Sequence, residues 1–115
     1  NRFYWDADTP KALDDVTTDG VTTPGLKSVW KDIIKDQANG LLQPTDWMVV
    51  KASEVADYSL PSQVATDRAA IRTASNKIEA SITNAADHAA FMALFDTPVD
   101  SDGNPTGNAP IADWP

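Results

Sequence analysis

Apolar residues recur at helical spacing in three stretches of the chain. In the first, Leu26, Trp30, Ile33, Ile34, Gln37 and Leu41 fall near one face, and Lys27, Lys31, Asp32, Lys35 and Asp36 fall opposite. This spacing predicts an amphipathic helix over 24–42, with Thr23 as its N-cap and Pro24 in its first turn. Gly40 weakens its last turn, and Pro44 is expected to stop it. In the second stretch, Val64, Ile71, Ala74, Ile78 and Ile82 form a seam that predicts a helix over 61–83. The seam is rich in alanine, so a partner helix can approach closely. A third, shorter helix is expected over 87–95, with Phe91, Leu94 and Phe95 as its apolar set and Asn84 or Asp87 as its cap. Between the first two helices, Met48-Val49-Val50 reads as a short strand or irregular segment, with a helical turn near Ala52 to Ala56.

The flanks have a different texture. Phe3-Tyr4-Trp5 favours an extended segment, and Asp19-Gly20 between Val16 and Val21 signals a tight turn. A short two-stranded ribbon fits there, marginal unless it packs on something. Beyond Thr97, four prolines and two glycines preclude regular structure. The expected architecture is mainly α: a helical hairpin or three-helix domain over 26–96. An extended arm or β-ribbon over 1–25 precedes it, and an extended tail over 97–115 follows.

Composition narrows the function. The 115 residues contain no cysteine, which excludes disulfides, thiolate metal sites and cysteine nucleophiles. Seventeen acids against nine bases give a net charge of −8, which disfavours nucleic acid and anionic lipid as partners. Fifteen of those acids are Asp, the acid of turns and caps. No apolar run is long enough to span a bilayer, and no secretory signal is visible. The lone histidine, His88, stands beside Asp87 without a candidate nucleophile, second histidine or glycine-rich loop. It reads as a helix residue rather than a catalytic base, and no catalytic residue and no cofactor is expected. Asp100-Ser101-Asp102-Gly103-Asn104 opens like a calcium loop. Pro105 stands where the sharp turn needs glycine, and Ile111 where a closing carboxylate is needed, so a polar turn is the plainer reading and no metal ligand is assigned.

Four tryptophans exceed what a small core requires. Trp30 and Trp47 read as core. Trp5 and Trp114, near the two ends, either fold back or anchor a partner. Phe3, Tyr4, Trp5 and Trp114 are therefore the candidate partner-binding residues.

Leu41-Leu42-Gln43-Pro44-Thr45-Asp46-Trp47 follows a lysine-rich amphipathic helix. After it come Pro61 and Ala65-Thr66-Asp67-Arg68-Ala69-Ala70-Ile71-Arg72. This arrangement resembles the small tail assembly chaperones and tail fibre assembly proteins of tailed bacteriophages. Their pattern is a helix ending in two leucines, then Thr/Ser-Asp-Trp, a proline-containing loop, and a helix opening on Tyr-Arg-x-Ala-Leu/Ile-Arg. Asp67 stands at the pattern's Tyr. The terminal Trp114-Pro115 and the opening Tyr4-Trp5-Asp6-Ala7-Asp8-Thr9-Pro10 are similar to such proteins too. The resemblance implies a non-enzymatic protein that binds a tail or tail-fibre protein, or copies of itself. It would act in the host cytoplasm during assembly or in the virion tail. Thr45, Asp46, Trp47, Arg68 and Arg72 are its motif positions. On chemistry alone, Thr45 or Asp46 can cap a turn, Asp46 can pair with Arg68 or Arg72, and Trp47 can fold back as the clasp of a helical hairpin. The alternative, of a different class, is a metal-stabilised receptor-interaction module on the 100–104 loop.

Overall fold

The computed structural model describes residues 2–115. Its elements are a β-ribbon of β1 (Val16–Thr18) and β2 (Val21–Thr23), then α1 (Leu26–Glu54), α2 (Ser62–Asn84) and α3 (His88–Ala93). A 3₁₀ turn over Pro110–Ala112 lies near the C-terminus. The fold is mainly helical, with the antiparallel ribbon ahead of a long helical hairpin.

The ribbon turns through Asp19 (φ 53°) and Gly20 (φ 79°). Two successive left-handed residues define the mirror-image turn that suits a two-residue hairpin, and Asp and Gly tolerate that backbone best. Val16 pairs with Thr23, Thr17 with Thr22 and Thr18 with Val21. All six strand residues are exposed.

Thr23 and Pro24 do not open α1 as expected; Gly25 is its N-cap and offers no side chain. The cap comes from the N-terminal segment instead. The Leu26 N–H donates to the Ala12 carbonyl at 2.9 Å and the Lys27 N–H to the Leu13 carbonyl at 3.0 Å. The Gly25 N–H donates to Asp15 Oδ1 at 2.8 Å, and the Ser28 hydroxyl donates to the same oxygen at 2.7 Å. These bonds satisfy N–H groups that a helix start leaves without partners. A Cβ at Gly25 would collide with the backbone of Leu13 and Asp14, so this crossing requires glycine.

Pro44 does not stop α1, which runs through it to Glu54, and Met48-Val49-Val50 is helical. The loss of one backbone donor at Pro44 is outweighed by a continuing face. Leu42, Thr45, Met48 and Ala52 recur at helical spacing and are all partly buried. Val64 to Ile82 supply the facing seam on α2. At the near end of the hairpin, Lys27 Nζ donates to the carbonyls of Thr83 (3.1 Å) and Ala85 (2.9 Å), placing a cation at the α2 C-terminus. Asp87 caps α3 by accepting from the Ala90 N–H at 2.8 Å.

The core sits entirely at this near end. Leu26, Ile34, Ile78, Ile82, Ala85, Phe91 and Ile111 form one buried cluster. The tail contributes Ile111, whose N–H donates to the Leu94 carbonyl at 3.0 Å. Among the described residues, none between Ala38 and Ser75 is buried. The radius of gyration is 18.4 Å, against roughly 13 Å for a compact chain of similar length. The outer half of the hairpin projects from a small packed base. Among the described residues, no helix is long and apolar enough to cross a membrane.

Candidate functional site

Three of the five motif residues, Thr45, Asp46 and Arg68, meet at the outer half of the hairpin. Arg68, from the second turn of α2, reaches across to α1 with its side chain only 11% exposed. Its Nη1 donates to the Leu42 carbonyl at 2.9 Å and to Thr45 Oγ1 at 2.8 Å. Its Nη2 meets Asp46 Oδ1 at 3.0 Å. The Thr45 hydroxyl in turn donates to the Leu42 carbonyl at 3.2 Å. One guanidinium fork therefore ties together three acceptors beside Pro44, a geometry suited to arginine and not to lysine. Arg72 is exposed and takes no part; it borders a shallow groove with Lys35, Leu42 and Asn76.

Trp47 is not the clasp. It lies 55% exposed, as does Val50 one helical turn later. Ile34, Ala38 and Thr45 set the inner face of α1, and the helical period carries Trp47 and Val50 to the opposite side. Arginine, not tryptophan, closes the hairpin, and the tryptophan is left to solvent.

The end aromatics separate into two groups. Phe3 packs edge-on against Phe95 (4.8 Å between centroids) and Phe91 (6.3 Å). Tyr4 packs edge-on against the His88 ring at 4.9 Å. His88 Nε2 donates to the Phe3 carbonyl at 3.0 Å, so the histidine tethers the N-terminal segment to α3. Trp114 is half-buried, and its Nε1 donates to Gln37 Oε1 at 3.2 Å. Trp5 alone of the four stays exposed, at 64%, with Lys11 Nζ 4.8 Å above its ring.

The 100–104 loop is a closed turn. Asp100 Oδ1 accepts from the N–H groups of Asp102 (2.9 Å) and Asn104 (3.0 Å), and the Asp100 N–H donates to the Asn104 carbonyl at 2.9 Å. Among the described residues, no group of three His, Asp or Glu side chains is placed to hold a metal ion.

Two carboxylates are displaced from ordinary behaviour, each by hydrogen bonds that favour the charged form. The Gly25 N–H and then the Ser28 hydroxyl hold the Asp15 pKa down. The Asp8 N–H and then the Thr9 hydroxyl do the same for Asp6. Both serve local structure. Sequence reasoning missed the Leu42 carbonyl as the main acceptor for Arg68, because a backbone atom leaves no mark in a side-chain pattern.

No family model, no curated protein and no solved structure matches the chain.

Proposed function

We propose that the chain is a non-enzymatic bacteriophage tail-associated protein. It binds a tail or tail-fibre protein, either as an assembly chaperone or as a small subunit retained in the virion. The observation that carries this reading is the assembly of the motif itself. Thr45 and Asp46 of α1 meet the sequence-distant Arg68 of α2 in one clasp, and the motif's tryptophan faces outward beside Val50. A fold that spends an arginine on bracing a bare helical hairpin, and leaves a tryptophan on its outer face, presents an anchor of the kind that dominates protein interfaces. The elongated shape suits a surface laid along a larger partner.

Mass spectrometry of purified virions, together with co-purification from infected cells, tests the reading. A stoichiometric chain in the virion identifies a subunit. A chain absent from the virion but co-purifying with a tail or fibre protein, in a complex lost with Trp47→Ala, identifies a chaperone. Absence from both overturns the reading.

A further inference from the structure

A cleft lies at the other end of the molecule from the motif. It has a volume of about 540 Å³, within the range of ligand-binding clefts. Val29 and Trp30 of α1 line it together with Trp5 and Val16. Arg2 and Lys11 stand at the cleft, and no carboxylate lines it, in a chain of net charge −8. Neither cation pairs with an acid among the described residues. Each is held over aromatic rings instead: Arg2 lies 4.7 Å from the Phe95 centroid and 5.7 Å from that of Trp30, and Lys11 lies over Trp5. Stacking fixes their positions and leaves their charges unneutralised.

The ribbon adds a second, independent observation. Its register puts Val16, Thr18, Val21 and Thr23 on one face, and both Val16 and Thr23 border the cleft. Val16 is 48% and Val21 66% exposed, so this apolar face is uncovered. In a two-residue hairpin the Thr17–Thr22 pair turns its backbone N–H and C=O groups outward, leaving open edges beside the cleft.

We propose that this cleft binds an extended, apolar peptide segment of a partner protein that carries carboxylate side chains. Apolar side chains lie along Trp5, Trp30 and the valine face. The carboxylates meet Arg2 and Lys11, and the peptide backbone pairs with a ribbon edge as a third strand. The open edges favour an extended peptide over a compact small molecule. The unneutralised cations favour an acidic segment over a neutral one. The site stands on its own observations and survives failure of the tail-associated reading.

The test uses the full chain and a short synthetic peptide alternating valine and aspartate, with a valine–lysine peptide of equal length as control. Calorimetric titration should show saturable binding of the aspartate peptide, at least about tenfold tighter than the lysine peptide and weakened by salt. Lys11→Glu should reverse the preference while thermal unfolding stays cooperative. Val16→Lys should weaken both peptides. Equal binding of the two peptides, or an unchanged preference in Lys11→Glu, overturns the proposal. So does octanoate binding where the aspartate peptide does not, which makes the cleft a small-molecule site. A concentration-dependent dimer abolished by Lys11→Glu, with no peptide binding, assigns the cleft to a second copy and likewise overturns it.

Discussion

The two halves of the helical hairpin are built from similar sequence and held by different physics. Near the base, Ile34 and Ile78 are buried almost completely, together with Ile82 and Leu26. In the outer half, Leu42, Met48 and Ile71 occupy the same inner faces of the same helices, yet none is buried. The difference is a third layer. At the base, α3, Phe3 and Ile111 cover the groove between α1 and α2. Further out, no buried residue among those described lies across it, and two helices alone can hide only the strip between them. Hydrophobic burial holds the base, whereas one arginine fork and small side chains such as Ala70 and Ala74 hold the outer half. An apolar residue on the right helical face becomes core only where something lies across it.

The sharpest way to break this contrast is at Phe91, fully enclosed in the base. Phe91→Ala should cost about 3–5 kcal/mol, since the cavity is bounded on all sides and cannot collapse. Chemical denaturation measures it. A loss near 1 kcal/mol would mean that the base is loosely packed and that the two halves differ little.

Arg68→Ala comes next. It strips donors from the Leu42 carbonyl and Thr45, an expected loss of about 1–3 kcal/mol. The half-exposed Asp46 adds little to that. Hydrogen exchange should accelerate in the outer parts of α1 and α2 and stay slow around Ile34 and Ile78. Uniform acceleration would show one cooperative unit. Arg68→Lys should recover only part of the protection, because an ammonium cannot reproduce the fork.

These effects bear on what the sequence could reveal. The seam from Val64 to Ile82 is strong and uninterrupted, so α2 is legible almost to its ends. The continuation of α1 was not, because Pro44 is the strongest local stop signal. The face that overrides it consists of Thr45, Met48 and Ala52, which are polar, flexible or small. The opening of α1 was misplaced for a related reason. Its cap is the distant pair of carbonyls on Ala12 and Leu13, and the local candidate Thr23 is paired in the ribbon instead. Ile111 is a single apolar residue among prolines and glycines, with no periodicity to mark it as core. The candidate site was half legible. Pairing of Asp46 with an arginine could be read from charge, but the choice of Arg68 over Arg72, and the outward turn of Trp47, depend on the helix running through Pro44.

Trp47→Ala tests the other side of the contrast. A tryptophan this exposed should change stability by less than about 0.5 kcal/mol, as other surface positions do. Thermal unfolding checks this. A loss comparable to that of Phe91→Ala would place Trp47 in a packed interior and remove it as a docking anchor.

The smallest effect concerns how the base is fastened to the N-terminal segment. Asp15 carries its charge beside the start of α1, where the Gly25 N–H and the Ser28 hydroxyl donate to it and depress its pKa below the ordinary 3.8. The sign follows from linkage. A depressed carboxylate contributes stability that is complete above its unfolded pKa and disappears as pH falls through the lower folded value. Asp15→Asn keeps an acceptor oxygen but removes the charge. At neutral pH the variant should melt slightly below the parent, and the gap should close as pH drops below 3.8. Asp6 provides the contrast. Its pKa is depressed mainly by the Asp8 N–H, a hydrogen bond within its own turn rather than to the start of α1. Asp6→Asn should therefore leave hydrogen exchange at the start of α1 unchanged, whereas Asp15→Asn should accelerate it at Gly25 and Leu26. Equal responses from the two variants would mean that general surface charge, rather than the cap, sets the acid sensitivity of the base.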